Sequence, residues 1–130
     1  MSKILRREGW FLVVLGVAAL WRLDHLGSAS LAGDEAYYWL WSRHPALAYY
    51  DHPAGTALLI RLSTLLGGQS EVGIRWLNAL LGVGSVGWVY VIGRSLYGRG
   101  SGLLAAALVS LGAPYLLTSR FVYTDSLQLF

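Results

Sequence analysis

Asp34 and Glu35 open the stretch GDEAYYWLWSRHPALAYYDHP, Gly33 to Pro53, where acids, histidines and aromatics crowd together in an otherwise apolar chain. Tyr37, Tyr38, Trp39 and Trp41 follow the acidic pair, and Tyr49, Tyr50, Asp51 and His52 form a second cluster closed by Pro53. Ionisable groups at the edge of apolar segments are costly unless they are paired or used. A carboxylate at a helix start among aromatic rings can act as a general base, removing the proton of an attacking hydroxyl. Capping the helix is the plainer role for Asp34, and spacing alone does not separate the two. Asp51 and His52 offer oxygen and nitrogen ligands to a divalent metal, with Glu35, His44 and Asp125 as further donors. No H-x-x-x-H or comparable spacing fixes such a site, and a hydrogen-bonded turn before Pro53 accounts for His52 as well. Arg22, Arg61, Arg75 and Arg120 each carry the paired donors that match a phosphate, yet singly each also reads as a snorkelling interfacial charge. A Gly-rich nucleotide loop is absent, so a nucleotide substrate has no visible seat.

The elements that position these residues are apolar helices. The 130 residues are 55% hydrophobic and only 13% charged, roughly half the charged share of a soluble domain. With a mean hydropathy of +0.51, this composition points to an integral membrane protein. Six tryptophans and eight tyrosines suit a surface at headgroup level. A net charge of +3, with its basic residues scattered, gives nucleic-acid binding no support. The lack of cysteine excludes disulfides and thiolate chemistry.

Lys3, Arg6 and Arg7 precede an apolar run that reaches Trp21, with Arg22, Asp24 and His25 at its far end. The pattern predicts a transmembrane helix over about 9–26. A cleaved signal peptide is the competing reading, and Trp21-Arg22-Leu23-Asp24-His25 is a poor cleavage region for it. An outward loop over 27–70 is expected to hold two short interfacial helices. Asp34 would cap the first, which stops before Pro45; Pro53 would begin the second, which ends at Gly67 and Gly68. Ser70 and Glu71 announce a spanning helix over about 71–92. After the RSLYGR turn comes another helix over about 100–117, with small residues at Gly98, Gly102, Ala106 and Ser110 for close packing. A further helix begins at 126. The expected fold is an all-α, polytopic transmembrane bundle.

Lys3, Arg6, Arg7, Arg94 and Arg99 fall in two short segments that would share one side of the membrane. The positive-inside rule puts that side in the cytoplasm. The acidic loop and Asp125 then face outward and can meet on one face.

GDEAYYW, the YYDHP turn, a hydrophobic helix and the Arg-containing helix start GIRWLNALLG resemble the N-terminal part of GT-C membrane glycosyltransferases. The nearest group is the bacterial branch related to protein O-mannosyltransferases and to the lipid A aminoarabinose transferase. The resemblance runs from about Leu20 to Phe130. One departure is Pro53-Ala54, where the family usually has two prolines. The resemblance implies inverting transfer of a hexosyl or pentosyl group from a polyprenyl-phosphate carrier. The acceptor would be a lipid, glycan or protein on the outer face of the plasma (inner) membrane, in cell-envelope or lipopolysaccharide glycosylation. It maps the family's essential acids onto Asp34, with Glu35 beside it, and onto Asp125 in YTDS. Glu35, Tyr50, His52 and Arg75 are the expected substrate-binding residues, with Arg75 beside the leaving phosphate, and Asp51 is the metal candidate. Family members are several hundred residues long, so these residues read as an N-terminal piece, inactive by itself. A transporter or flippase subunit would instead place charges deep within its helices, and a small membrane scaffold would not need acids and histidines gathered in one loop.

Overall fold

The computed structural model describes residues 2–24, 26–50, 52–112 and 121–122, with side chains from residue 9 onward. The described residues form five helices: α1 (Ser2–Leu23), α2 (Gly33–Arg43), α3 (Gly55–Gly67), α4 (Glu71–Tyr97) and α5 (Arg99–Leu111). The expected all-α class is found. Pro114, Arg120, Asp125 and the helix expected from 126 lie outside the described residues, as do His25 and Asp51.

α4 is the axis of the structure, and α1, α3 and α5 all pack on it. Ser70 starts it by accepting a hydrogen bond from the backbone N–H of Gly73 at 3.1 Å, a side-chain cap of the kind its sequence announces. It runs five residues past the expected end, to Tyr97, and stops at Gly98, whose φ of 88° is open to glycine without strain. The same glycine admits the chain directly into α5. Gly102, Ala106 and Ser110 are buried, as the small-residue spacing requires. A Cβ on Gly102 would lie 2.8 Å from the Tyr90 carbonyl oxygen and the Arg94 backbone nitrogen, so only glycine lets α5 approach α4 this closely. Around that contact Ala18, Val86, Tyr90 and Ala106 form one core cluster, and Phe11 stacks on Tyr90 with ring centroids 3.9 Å apart.

A second cluster, Tyr38, Ile60, Ile74 and Val122, lies at the other end of α4. There Ser63 donates to the Gly73 carbonyl at 2.6 Å, and Trp76 donates back to the Ser63 carbonyl at 3.0 Å. These two bonds hold α3 against the first turns of α4. α3 begins at Gly55 rather than at Pro53. Pro53 instead bridges to Ala48 in the preceding turn.

The expected polytopic bundle is only partly met. Among the described residues α4 alone is long and apolar enough to cross a membrane; its 27 residues span about 40 Å at 1.5 Å each, against roughly 30 Å of hydrocarbon. The apolar parts of α1 (Gly9–Leu23) and α5 are shorter. Leu23 ends α1 three residues before the expected limit, and Leu26 beyond it is buried.

Candidate active site

The acidic stretch begins with a helix start of unexpected design. α2 starts at Gly33, so Ala32 is the capping residue and Asp34 lies inside the first turn. The expectation that Asp34 caps the helix is therefore corrected. Glu35 reaches back instead, and its Oε2 accepts the backbone N–H of Ala32 at 3.1 Å. Alanine has no side-chain acceptor, so only the glutamate half of a reciprocal cap is formed.

Glu35 is fully buried, and it is the centre of the site. Its two oxygens meet Arg75 side by side, Oε1 with Nε at 3.0 Å and Oε2 with Nη2 at 2.7 Å. Oε1 also accepts the backbone N–H of Val122 at 3.0 Å. A carboxylate has about four acceptor positions, and here four donors fill them. Arg75 is equally saturated. Beyond its two bonds to Glu35, Nη1 donates to the carbonyls of Leu26 at 2.7 Å and Ala29 at 2.8 Å, and Nη2 to that of Ser30 at 3.1 Å. All five guanidinium donors are thus used. Phe121 lies against the guanidinium at 5.1 Å, and Asn78 donates to the Phe121 carbonyl at 3.1 Å.

This arrangement is a clamp. One buried ion pair joins the start of α2, the loop after α1, the first turns of α4 and the segment at Phe121–Val122. A paired and fully hydrogen-bonded charge can remain in a dry interior where an isolated one cannot. In this geometry the bonding positions of Glu35 and Arg75, both expected to bind substrate, are filled from within the chain. The segment at Val122, three residues before Asp125 in the sequence, meets the acidic stretch at Glu35.

Asp34 is exposed, next to the immobilised Glu35, and among the described residues no hydrogen bond or ion pair holds its carboxylate. It is the carboxylate that the clamp positions and leaves available. His52 is half-buried and packs edge-on against Tyr38, ring centroids 5.9 Å apart, and near Trp41 at 6.0 Å. Tyr50 is not brought into the site; it is fully exposed. Its neighbour Tyr49, named in the second cluster with no role of its own, does the structural work. Tyr49 stacks on Trp41 at 4.5 Å and 3°, donates its hydroxyl proton toward the Trp41 and His44 carbonyls, at 2.9 and 3.0 Å, and accepts the Ala46 N–H at 3.3 Å. Nothing in the local spacing distinguishes the two adjacent tyrosines. The metal candidate Asp51 and the second catalytic candidate Asp125 lie outside the described residues. Among the described residues no three His, Asp or Glu side chains gather as a metal site.

The chain matches the family model for dolichyl-phosphate-mannose-protein mannosyltransferase over residues 51–130, well over half its length. No curated protein and no solved structure gives a significant match.

Proposed function

The chain belongs to the dolichyl-phosphate-mannose-protein mannosyltransferase family, and from that membership we propose that it is the N-terminal part of a membrane glycosyltransferase using a polyprenyl-phosphate sugar, with Asp34 as the catalytic base. The observation that carries the assignment of Asp34 is its position: exposed, without a partner among the described residues, and one residue from the saturated Glu35. In the proposed step the acceptor hydroxyl oxygen attacks the anomeric carbon as Asp34 takes its proton. The bond from that carbon to the carrier's phosphate oxygen breaks, and the phosphate leaves on the lipid with inversion at the sugar. Asp125, three residues after Val122 in the sequence, is the second acid of the proposal, and His52 borders the site beside Tyr38. Glu35 and Arg75 serve as positioning residues. The acceptor is a protein, lipid or glycan on the outer face. The expected readout is transfer to endogenous acceptor from a polyprenyl-phosphate sugar, and none from a nucleotide sugar, in membranes carrying the full-length parent protein. Transfer from the nucleotide sugar alone would overturn the donor class.

Membrane placement belongs to the same proposal. Rows of exposed apolar residues on α1 (Trp10, Val13, Val17, Leu20), α4 (Trp88, Val91, Ile92) and α5 (Leu104, Leu108, Leu111) support it, since water-facing surfaces of this kind are disfavoured. The orientation is multi-pass in the plasma membrane, with a cytoplasmic N-terminus and the acidic loop outside, on the strength of the arginine distribution. A cysteine at Ser30 should react with an impermeant thiol reagent in intact cells, and one at Ser95 should not. The opposite labelling pattern would put the acidic loop in the cytoplasm.

A further inference from the structure

α2 and α3 form a polar cleft of about 270 Å³ lined by Ser42, Arg43, Arg61, Thr64, Leu65 and Gln69. It shares no residue with the Glu35–Arg75 clamp. Two guanidinium groups enter it from different helices. Arg43 donates one bond to Gln69 Oε1 at 3.3 Å, and Arg61 donates one to the Ser42 carbonyl at 3.3 Å. Both bonds are long, and each arginine carries five donors. Neither arginine meets a carboxylate among the described residues. Arg43 also lies over the Trp39 ring at 5.6 Å, and Trp39 donates to the same Gln69 oxygen at 3.4 Å, so its side chain is held toward the cleft. Both arginines are exposed and line the same cleft without an acid among the described residues, which leaves the cleft a net positive charge that favours an anion.

The surroundings decide what carries the anion. Leu58, Leu62, Leu65 and Leu66 of α3 are all exposed, by 49% to 70%. With Arg61 they fall at three- and four-residue spacings on one side of the helix. A 13-residue helix is too short to span, and an apolar row beside cations is the pattern of a helix lying in the headgroup layer. Guanidinium groups match phosphate oxygens with paired donors. We propose that the Arg43–Arg61 cleft seats the phosphate of an anionic membrane phospholipid, whose chains run along the leucine row. The site goes beyond the transferase reading; it rests on the membrane placement proposed with that reading and not on the sugar donor or on Asp34.

The test uses the full chain in vesicles of equal parts phosphatidylglycerol and phosphatidylcholine, extracted gently, with retained lipid counted by native mass spectrometry. Wild type should retain phosphatidylglycerol over phosphatidylcholine, and Arg43→Gln/Arg61→Gln should lower that preference about tenfold. Arg43→Lys/Arg61→Lys, which keeps both charges and loses the paired donors, should fall between them. Arg94→Gln, a charge removed at the far end of α4, should leave the preference unchanged. Helix content by circular dichroism confirms that each variant is folded. Equal retention by wild type and the double Gln variant would overturn the site. Displacement of phosphatidylglycerol by millimolar inorganic phosphate would overturn it in favour of a soluble anion. Displacement by equimolar polyprenyl phosphate would overturn it in favour of the sugar carrier.

Discussion

Arg75→Met should destabilise the folded chain by about 3–5 kcal/mol, the usual cost of removing one member of a buried ion pair. The pair is 2% and 0% exposed at its two side chains. After the substitution Glu35 keeps only the backbone N–H groups of Ala32 and Val122, and its charge stays buried beside an apolar side chain. The carbonyls of Leu26, Ala29 and Ser30 lose their donor at the same time. In many proteins a buried ion pair can be exchanged for two apolar residues with little loss. Here that exchange should restore stability only in part. Arg75→Met/Glu35→Met relieves the buried charge and still leaves the carbonyl of buried Leu26 unmet, at a cost of about 1–3 kcal/mol, whereas Ala29 and Ser30 are exposed and water replaces the donor there. Equilibrium unfolding in detergent, followed by tryptophan fluorescence, measures all of these variants. A loss under about 1 kcal/mol for Arg75→Met would mean that water reaches the guanidinium and that the clamp is a surface pair.

Helix limits were legible wherever a local device sets them. Ser70 caps α4 and Gly68 ends α3 as their residue types dictate. The small-residue spacing through Gly102, Ala106 and Ser110 gave the face of α5 that meets α4. The start of α2 misled because Asp34 is a good capping residue and Ala32 is a poor one. Burial of Glu35 against Arg75 outweighed that preference and moved the helix start toward Ala32. The clamp itself was half legible. Arg75 and Glu35 could be placed at the same level of the structure, and their pairing could not be read, since forty residues separate them and no local spacing encodes the contact. The resemblance assigned both to substrate, and the contact each makes with the other was not foreseen. Tyr49 and Tyr50 show the same limit at short range: identical neighbours, one stacked on Trp41 and one in the open.

Asp34→Asn in the full-length protein should lower sugar transfer by at least about a hundredfold, the lower end of what a positioned general base contributes. The substitution is close to isosteric, and Asp34 neither caps α2 nor touches the clamp, so folding should be nearly unaffected. Asparagine cannot take up the proton of the attacking hydroxyl. Glu35→Gln offers the contrasting behaviour. It removes charge from the clamp, so its activity should fall together with its stability, and turnover per folded molecule should stay closer to wild type. A base and a positioning residue that are adjacent in sequence thus separate by what is lost. The deciding measurement is turnover from a polyprenyl-phosphate sugar, per folded protein, for wild type, Asp34→Asn and Glu35→Gln in the same membranes. The account predicts collapse of that figure for Asp34→Asn at wild-type stability. Near-wild-type turnover by Asp34→Asn would contradict it and would move the search for the base to Asp125.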